Sequence, residues 1–220
     1  MTITRADRPV QQMLARHPEL APSVEALVEA CEAIRAALAA GGCLYLCGNG
    51  GSMADAVHVS AELLKSYTLP RPLEQDFRAQ LARSAPDGEL LGTHLERGLR
   101  AVVLGLNHSL SSALENDVAA QGIGYAQELS VLAHSGDVLL GISTSGNARN
   151  VCYAAQVARA RTVTTISLTG QDGGRLAQLA DIPIRAPATQ TDRVQELHVL
   201  LYHCLCETLE VAFFGNRQKE

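Results

Sequence analysis

The 220-residue chain lacks the features that would place it in a membrane or on nucleic acid. No run of basic residues interrupts a composition with a formal net charge of −5, which favours a small-molecule or protein partner over nucleic acid. No apolar stretch approaches the ~18 to 20 residues of a membrane-spanning helix. The N-terminal segment MTITRADRPVQQ is polar and is not followed by the apolar core of a signal peptide. We therefore expect a cytoplasmic protein with no membrane association and no nucleic-acid partner.

Signatures of nucleotide binding and of structural zinc are also missing. Neither G-x-G-x-x-G nor G-K-[ST] occurs, so we expect no nucleotide cofactor. The cysteines lack the two closely spaced pairs typical of structural zinc sites, and we expect reduced thiols in the core. They are Cys31, Cys43, Cys47, Cys152, Cys204 and Cys206. A chain of this length buries about 70% of its unfolded surface, so any metal would serve chemistry rather than hold the fold.

What the chain does contain is a repeated unit of a short apolar strand, a turn rich in Gly, Ser or Asn, and an amphipathic helix. Three such units start from strands predicted at 43–47, 138–143 and 162–168. Two further strands are predicted at 101–106 and 182–184. Strands that are apolar throughout indicate a sheet covered on both faces, which is typical of parallel βαβ construction. We expect an α/β fold, a three-layer αβα sandwich with a central parallel sheet.

Helices are predicted at both ends of this pattern. Residues 10–40 have apolar side chains at helical spacing and predict one or two leading helices. Residues 194–214 predict a long C-terminal helix whose apolar circumference suggests packing against another subunit. Residues 70–100 break the pattern with prolines and mixed charges and are too few for a core of their own. We interpret 1–220 as a single domain with an inserted excursion at about 70–100.

Two loops at the carboxyl ends of predicted strands have the composition of phosphate-binding loops. Residues 48–52 read GNGGS, and residues 143–147 read STSGN. At this edge of a parallel sheet, helix N-termini present unpaired N–H groups, and hydroxyls and amides can hold a phosphate without lysine. The same residue types are ordinary in turns and N-caps. Two such loops at equivalent positions of one sheet favour phosphate binding.

Two pairs of polar residues are candidates for chemistry. His58 and Glu62 lie four apart on the helix after GNGGS and share a face, where they suit a divalent metal or acid/base work, although such pairs are common on surface helices. Gln195 and His203 lie eight apart on the terminal helix, about 12 Å of rise and about 80° of rotation. The Gln195 and His203 side chains of one helix could contact the same small ligand only with strain. A site assembled from two chains would relieve this strain. The alternative is that both are polar residues satisfied within a helix interface.

Five segments carry a resemblance to a known family. In chain order they are CGNGGSMADAVHVSAEL, ENDVAAQG, GDVLLGISTSGNARNV, SLTGQDGG and DRVQELHVLLYH. They resemble the sedoheptulose 7-phosphate isomerases, also called phosphoheptose isomerases, which belong to the sugar-isomerase (SIS) domains. The resemblance covers residues 10–69 and 100–214. STSGN alone indicates an SIS domain, and its combination with H-x-x-x-E and QE-x-H-x-x-x-x-H is far more specific.

The resemblance implies an SIS fold and a homotetramer with active sites at subunit contacts. The implied reaction converts sedoheptulose 7-phosphate to D-glycero-D-manno-heptose 7-phosphate through an enediol(ate), with Glu62 as catalytic base and His203 as catalytic acid. One Zn²⁺ per subunit is implied, with ligands matching His58, Glu62, Gln195 and His203. The substrate-binding positions that match by motif are Asn49, Gly50, Gly51, Ser52, Glu62, Asn116, Asp117, Ser143, Thr144, Ser145 and Gln195.

The residue types suit this chemistry independently of the resemblance. Moving a carbonyl from C2 to C1 needs a carboxylate to take a carbon-bound proton, an acid to protonate oxygen and a group to stabilise the enediolate. Glu62, His203 and a metal or fixed hydrogen bonds can supply all three. A Glu62 that ligates a metal is not a free base in that state, so a metal is structural, catalytic or inhibitory.

Three features depart from the family pattern and leave the sugar open. Ala148 stands where a substrate-binding serine is usual, Ser66 stands where an arginine is common, and the excursion at about 70–100 is extra. One alternative is therefore an isomerase of another sugar phosphate. A second is a non-catalytic SIS scaffold resembling the bacterial DnaA initiator-associating protein, but such scaffolds lack the residues matching Glu62 and His203.

Overall fold

The computed structural model describes residues 2–5 and 7–215, and a five-stranded sheet forms its centre. The strands are β1 Leu44–Cys47, β2 Ala101–Val103, β3 Val138–Ser143, β4 Thr164–Thr169 and β5 Ile182–Arg185. They pair in the order β2-β1-β3-β4-β5, and every pairing is parallel. The predicted parallel sheet is therefore confirmed. β2 ends earlier than expected, because Gly105 adopts a φ of +86° that turns the chain out of the sheet.

Helices precede and follow each strand. They are α1 Arg8–Arg16, α2 Val24–Ala39, α3 Gly51–Leu64, α4 Gln75–Ser84, α5 Gly88–His94, α6 His108–Asp117, α7 Gly124–Leu132, α8 Arg149–Ala160, α9 Gly174–Leu179 and α10 Thr191–Phe214. The predicted leading segment 10–40 is divided, because Pro18 begins a short 3-10 helix at Pro18–Ser23 between α1 and α2.

The helices form two layers that enclose the sheet. α2, α3 and α10 pack on one face, while α8 and α9 pack on the other. Alternate strand residues point into the two cores, so that Leu44 and Leu46 join the α2/α3/α10 side while Tyr45 and Cys47 join the α8/α9 side. All six cysteines are buried and unpaired. The three-layer αβα sandwich is confirmed.

Strand β4 differs from the expectation of uniformly apolar strands. Thr165, Ser167 and Thr169 alternate along it, and all three are fully buried. The Thr169 hydroxyl donates to the Ile184 carbonyl (3.4 Å), and the Thr165 hydroxyl donates to a carbonyl of its own chain segment (3.5 Å). A small hydroxyl side chain is tolerated in a buried strand when it can return a hydrogen bond to a nearby backbone oxygen, as these two threonines do. The Ser167 hydroxyl has no hydrogen-bond partner among the described residues.

The terminal helix α10 is the most apolar element and contributes to the core. By length and composition it is long and apolar enough to cross a membrane, contrary to the expectation that no such stretch exists. However, 61% of its most apolar window is buried within the fold, and it packs against α1, α2 and α3. Much of its apolar surface is thus used inside this chain, as in the core helix of a soluble protein.

The excursion at about 70–100 forms a pair of packed helices, α4 and α5. Every residue of α4 is exposed or half-buried. The excursion is attached beside the end of α3, where the Leu99 N–H donates to the Leu63 carbonyl (2.8 Å). Its two ends are held together by a bridge between Pro72 and Glu96. Since α3 has 14 residues, this attachment lies about 20 Å along the helix from the GNGGS loop.

Candidate active site

Helices α3 and α10 carry the four predicted catalytic and metal-ligating residues. Near the start of both helices, the Gln195 amide lies against Gly51, where an added Cβ would overlap it. About two turns further along both, the Tyr202 hydroxyl lies 3.1 Å from His58 Nδ1. The two contacts occur in the same chain order, so the helices run side by side in the same direction.

His58, Glu62 and His203 meet in the middle of this helix pair. One ligand atom of each lies within 4.8 Å of the other two, which makes this the only such three-residue group of His, Cys, Asp or Glu in the described chain. His58 Nε2 is 3.1 Å from Glu62 Oε1. The rings of His58 and His203 are edge to face, with centroids 5.0 Å apart. The structure thus adds His203 to the pair that helical spacing had joined.

The donor set of this cluster fits a zinc ion. Two imidazoles and a carboxylate are ligands that Zn²⁺ prefers. The His58 side chain is 44% exposed and the Glu62 side chain 18% exposed, so a further ligand can approach from solvent or substrate. Burial lowers the pKa of His203, His58 lowers it further, and Glu62 opposes both. Neutral imidazole, the form that ligates metals, is therefore favoured at His203.

Gln195 does not join this cluster within one chain. It lies eight residues before His203, about 12 Å along α10. Its amide instead lies beside Gly51 in the first of the two predicted phosphate loops. One chain therefore brings together three of the four predicted ligands and places the fourth near the loop.

Three residues that the sequence analysis missed surround the cluster. Tyr67 stacks on His203, with ring centroids 5.7 Å apart and planes at 17°. Tyr202 is buried and meets both His58 and His203 edge to face. Asp55 is buried, and burial raises its pKa. The three-residue spacing of Asp55 and His58 on one helix was an available signal, whereas nothing in the sequence marks the two tyrosines.

The two predicted phosphate loops follow the neighbouring strands β1 and β3, and the first loop is tied to α8, the helix that follows the second loop. Asn49 and Asn150 each donate to the other's amide oxygen, both at 2.8 Å. The Tyr125 hydroxyl donates to the Gly48 carbonyl and lies 3.1 Å from Asn49 Oδ1. Sequence reasoning missed Asn150, which links the first loop to α8, and Tyr125, which hydrogen-bonds the first loop.

The loop residues differ in access to solvent. Ser52 and Ser143 are buried, Thr144 is half-buried, and Ser145 is exposed. Asn49, Gly50 and Gly51 are exposed as well. A ligand at this edge therefore meets Ser145 and the glycine backbone first.

Asn116 and Asp117 stand at the end of α6, where both are exposed. Asn116 Nδ2 donates to Asp117 Oδ1 at 2.8 Å. Their neighbour Glu115 lines a cavity of about 210 Å³ whose other walls include Tyr125 and Asn150. The end of α6 therefore borders Tyr125 and Asn150, which both hydrogen-bond the first loop.

A buried ion pair fastens the end of α3 that carries Glu62. The Arg71 and Glu210 side chains are fully buried and 2.7 Å apart. Arg71 also donates to the backbone oxygen of Glu62 (3.1 Å), and Glu210 accepts from the backbone N–H groups of Tyr67 and Thr68. Burial raises the pKa of Glu210, but hydrogen bonds from Thr68, Tyr67 and Arg71 outweigh it and hold the value below its usual range.

Comparison with known proteins agrees with this architecture. Residues 10–170 match the family model of the SIS domain. The phosphoheptose isomerases of Shewanella piezotolerans and Geotalea daltonii are 37% and 38% identical to the chain, over 89% and 91% of it and 87% and 89% of their own lengths. Solved phosphoheptose isomerases from Neisseria gonorrhoeae (32% identity, TM-score 0.68) and Francisella tularensis (26%, 0.71) cover 92% and 90% of the chain. The chain covers 91% and 92% of those structures.

Fold and family match together define an SIS-domain protein. Within that class, the chain belongs to the phosphoheptose isomerase family. It is an enzyme, a sugar-phosphate isomerase. The resemblance stated from the motifs is confirmed, and the non-catalytic scaffold is not supported.

Proposed function

We propose that the enzyme converts sedoheptulose 7-phosphate to D-glycero-D-manno-heptose 7-phosphate. The observation that carries this proposal is the cluster of a carboxylate, Glu62, and two imidazoles, His58 and His203, whose ligand atoms lie within 4.8 Å of one another on helices that begin beside the first loop. Carboxylate and imidazole are the groups that aldose-ketose proton transfer requires. The names of the relatives support a heptose phosphate as the substrate.

The two loops are proposed to hold the substrate's phosphate. Hydroxyls and backbone N–H groups at helix N-termini bind phosphate without a lysine. The proposed binding residues are Asn49, Gly50, Gly51, Ser52, Ser143, Thr144 and Ser145. Asn116, Asp117 and Gln195 are assigned to the sugar hydroxyls, because amide and carboxylate groups can both orient a polyol.

Glu62 is the proposed base and His203 the proposed acid. Glu62 removes a proton from C1 of the ketose, and the electrons of that C–H bond form the C1–C2 double bond of the enediol(ate). The C2 oxygen takes a proton from His203. In the second half of the reaction, C2 receives a proton and the C1 hydroxyl loses its proton, which gives the aldose. The reaction therefore needs no oxidant or reductant.

We propose that His58, Glu62 and His203 also hold a zinc ion, one per subunit, with Gln195 supplied from a second chain. A bound zinc would supply Lewis-acid stabilisation of the developing oxyanion. Because a metal-ligating Glu62 is not a free base in that state, the metal is structural, catalytic or inhibitory. The separation of Gln195 from His203 supports active sites at subunit contacts. As the resemblance implies, we propose that the assembly is a homotetramer, and we propose a cytoplasmic location from the sequence.

An NMR assay with sedoheptulose 7-phosphate tests the reaction and its base. We expect an aldose anomeric signal with the wild-type enzyme and a rate lower by about 10²- to 10⁴-fold in Glu62→Gln, the usual contribution of a general base. Parallel reactions with chelator and with added zinc assign the role of the metal. Glu25→Gln, on the exposed side of α2, is the matched control and should retain full activity.

Absence of turnover under every metal condition would overturn the heptose assignment. Another sugar phosphate would then be the substrate, and one observation favours this second candidate. The Ser66 N–H and hydroxyl both donate to Glu96 of the excursion (2.9 and 2.7 Å), which places a carboxylate where the family commonly has an arginine. A panel of pentose, hexose and amino-sugar phosphates, compared by kcat/KM, separates the two candidates.

A further inference from the structure

The Tyr67 ring stacks on the imidazole of the proposed acid, His203, and has no part in the proposed reaction so far. The two ring centroids are 5.7 Å apart and the ring planes are at 17°. His58 and Tyr202 also contact the imidazole, but at steep angles of 81° and 68°. In the part of the chain that the structure describes, Tyr67 is thus the one aromatic ring parallel to His203, and the contact is made by its face rather than its hydroxyl.

Open space beside His203 gives this contact its importance. The imidazole borders a cavity of about 150 Å³, which Tyr67, His17 and Glu207 also line. Protein does not enclose the ring on this side, so close packing alone does not fix its orientation. A stacked aromatic face restricts rotation and leaves both ring nitrogens accessible at the edge. A group that transfers a proton needs both properties, since a misplacement of about 1 Å can cost about 10²-fold in rate.

The backbone that carries the Tyr67 ring is held by Glu210 of α10. The Tyr67 N–H donates to Glu210 Oε1 (2.8 Å), and the N–H groups of Thr68 and Leu69 donate to Glu210 Oε2 (2.7 and 3.0 Å). Glu210 follows His203 by about two helical turns and lies on the same face of α10. That face therefore contacts Tyr67 twice, at its ring and at its backbone.

The excursion at about 70–100 holds the preceding residue, Ser66. The Ser66 N–H donates to Glu96 Oε2 (2.9 Å), and the Ser66 hydroxyl donates to Glu96 Oε1 (2.7 Å). Glu96 also pairs with Pro72 in a bridge that joins the two ends of the excursion. The closed end of the excursion is therefore bonded directly to the residue before Tyr67.

We propose that Tyr67 is a positioning residue for His203, and that the excursion, through Glu96 and Ser66, holds Tyr67 in place. The inference rests on the proposed role of His203 as the acid. It gives the excursion a part in the reaction, because the position of Glu96 is passed to the imidazole through one residue of backbone and one stacked ring. Tyr67 and Glu96 act through the orientation of His203 and need no contact with the reacting atoms.

Steady-state kinetics test the role of the ring, with sedoheptulose 7-phosphate or with the member of the sugar-phosphate panel that is turned over. Tyr67→Leu should lower kcat by about 10- to 100-fold and change KM by less than about 2-fold, because the acid acts in the chemical step. Tyr67→Phe keeps the stacked ring and should restore most of the lost kcat. A raised KM with unchanged kcat in Tyr67→Leu, or equal losses in the two variants, would overturn the inference.

A double-mutant cycle tests the link to the excursion. Glu96→Ala removes an exposed carboxylate and should lower kcat by less than Tyr67→Leu does, because Glu210 still holds the segment. Adding Glu96→Ala to Tyr67→Leu should cause no further loss, since Glu96 acts through the ring. The matched control is Glu89→Ala, an exposed acid of α5 in the same excursion, which should keep full activity. Wild-type kcat in Glu96→Ala, or losses that add in the double variant, would overturn the role of the excursion.

The ¹H shifts of the carbon-bound ring protons of His203 provide a readout that does not depend on turnover. They are measured in chelator-treated enzyme and assigned from their loss in His203→Gln. The Tyr67 ring current should shield them in the wild type and in Tyr67→Phe, so we expect a downfield move in Tyr67→Leu. Identical shifts in the wild type and Tyr67→Leu would overturn the inference. A wild type that turns over no sugar phosphate but shows the expected move would overturn the proposed function and leave the positioning of His203 by Tyr67 supported.

Discussion

His198 is a buried titratable residue on α10 that the proposed mechanism does not use. Its ring is fully buried, and neither ring nitrogen has a hydrogen-bond partner among the described residues. Burial lowers its pKa to about 4. An unfolded chain would protonate this side chain near pH 6.5. Between these two pH values, the His198 side chain is therefore protonated in the unfolded state and neutral in the folded state.

Unfolding measured against pH tests this at the residue scale. Between pH 6.5 and 4 we expect the free energy of unfolding to fall as pH falls, by up to about 1.4 kcal/mol per pH unit and about 3 kcal/mol in total from this residue. In His198→Gln, which cannot titrate, the fall should be smaller by about that amount. Equal slopes for the two proteins in urea titrations would contradict the assigned burial.

At the scale of elements, the Arg71–Glu210 pair joins α3, α10 and the start of the excursion. The Arg71 guanidinium also lies over the Phe214 ring, 4.8 Å from its centroid. A buried ion pair often gives little net stability, but removing one partner leaves an uncompensated buried group. The pair is therefore expected to determine where the end of α3, and with it Glu62, is held.

Single and double substitutions test this anchor. Arg71→Met or Glu210→Gln should each lower the free energy of unfolding by about 3 to 5 kcal/mol. The double variant Arg71→Met/Glu210→Leu should lose less than the sum of the single losses, because no charge is left buried. Urea denaturation measures all three variants. Additive losses would show that the two side chains do not act as a pair.

At the scale of the whole molecule, the position of Gln195 bears on assembly. One chain holds His58, Glu62 and His203 together but leaves Gln195 about 12 Å away along α10. A closed oligomer can bring the Gln195 of one subunit to the cluster of another. The active site would then be completed only at a subunit contact.

Subunit mixing tests this assembly. Glu62→Gln and Gln195→Ala should each be nearly inactive alone. Unfolding and refolding the two variants together should restore on the order of a quarter of wild-type activity. Random assembly gives that share of the sites both an intact Glu62 from one subunit and an intact Gln195 from another. Mixing either variant with itself is the control. If the mixture stays inactive although the variants co-assemble, each site takes both residues from one chain.

Several properties of the fold and site follow from the sequence by itself. The parallel sheet is predictable because apolar strands and intervening amphipathic helices are local patterns. The two loops are predictable because strand ends of a parallel sheet share one edge. His58 and Glu62 are joined by helical spacing alone. The buried hydroxyls of Thr165 and Thr169 on β4 were not predictable, because their partners are backbone oxygens placed by folding.

Only the tertiary structure decided which distant groups complete the site. Tyr202 reaches His58 across 144 residues of sequence, and Glu210 reaches Tyr67 across 143. No periodicity connects such positions, because their proximity depends on α3 and α10 lying parallel on one face of the sheet. Burial is likewise a property of the packed molecule. It leaves Asp55 Oδ2 and both ring nitrogens of His198 without a hydrogen-bond partner among the described residues.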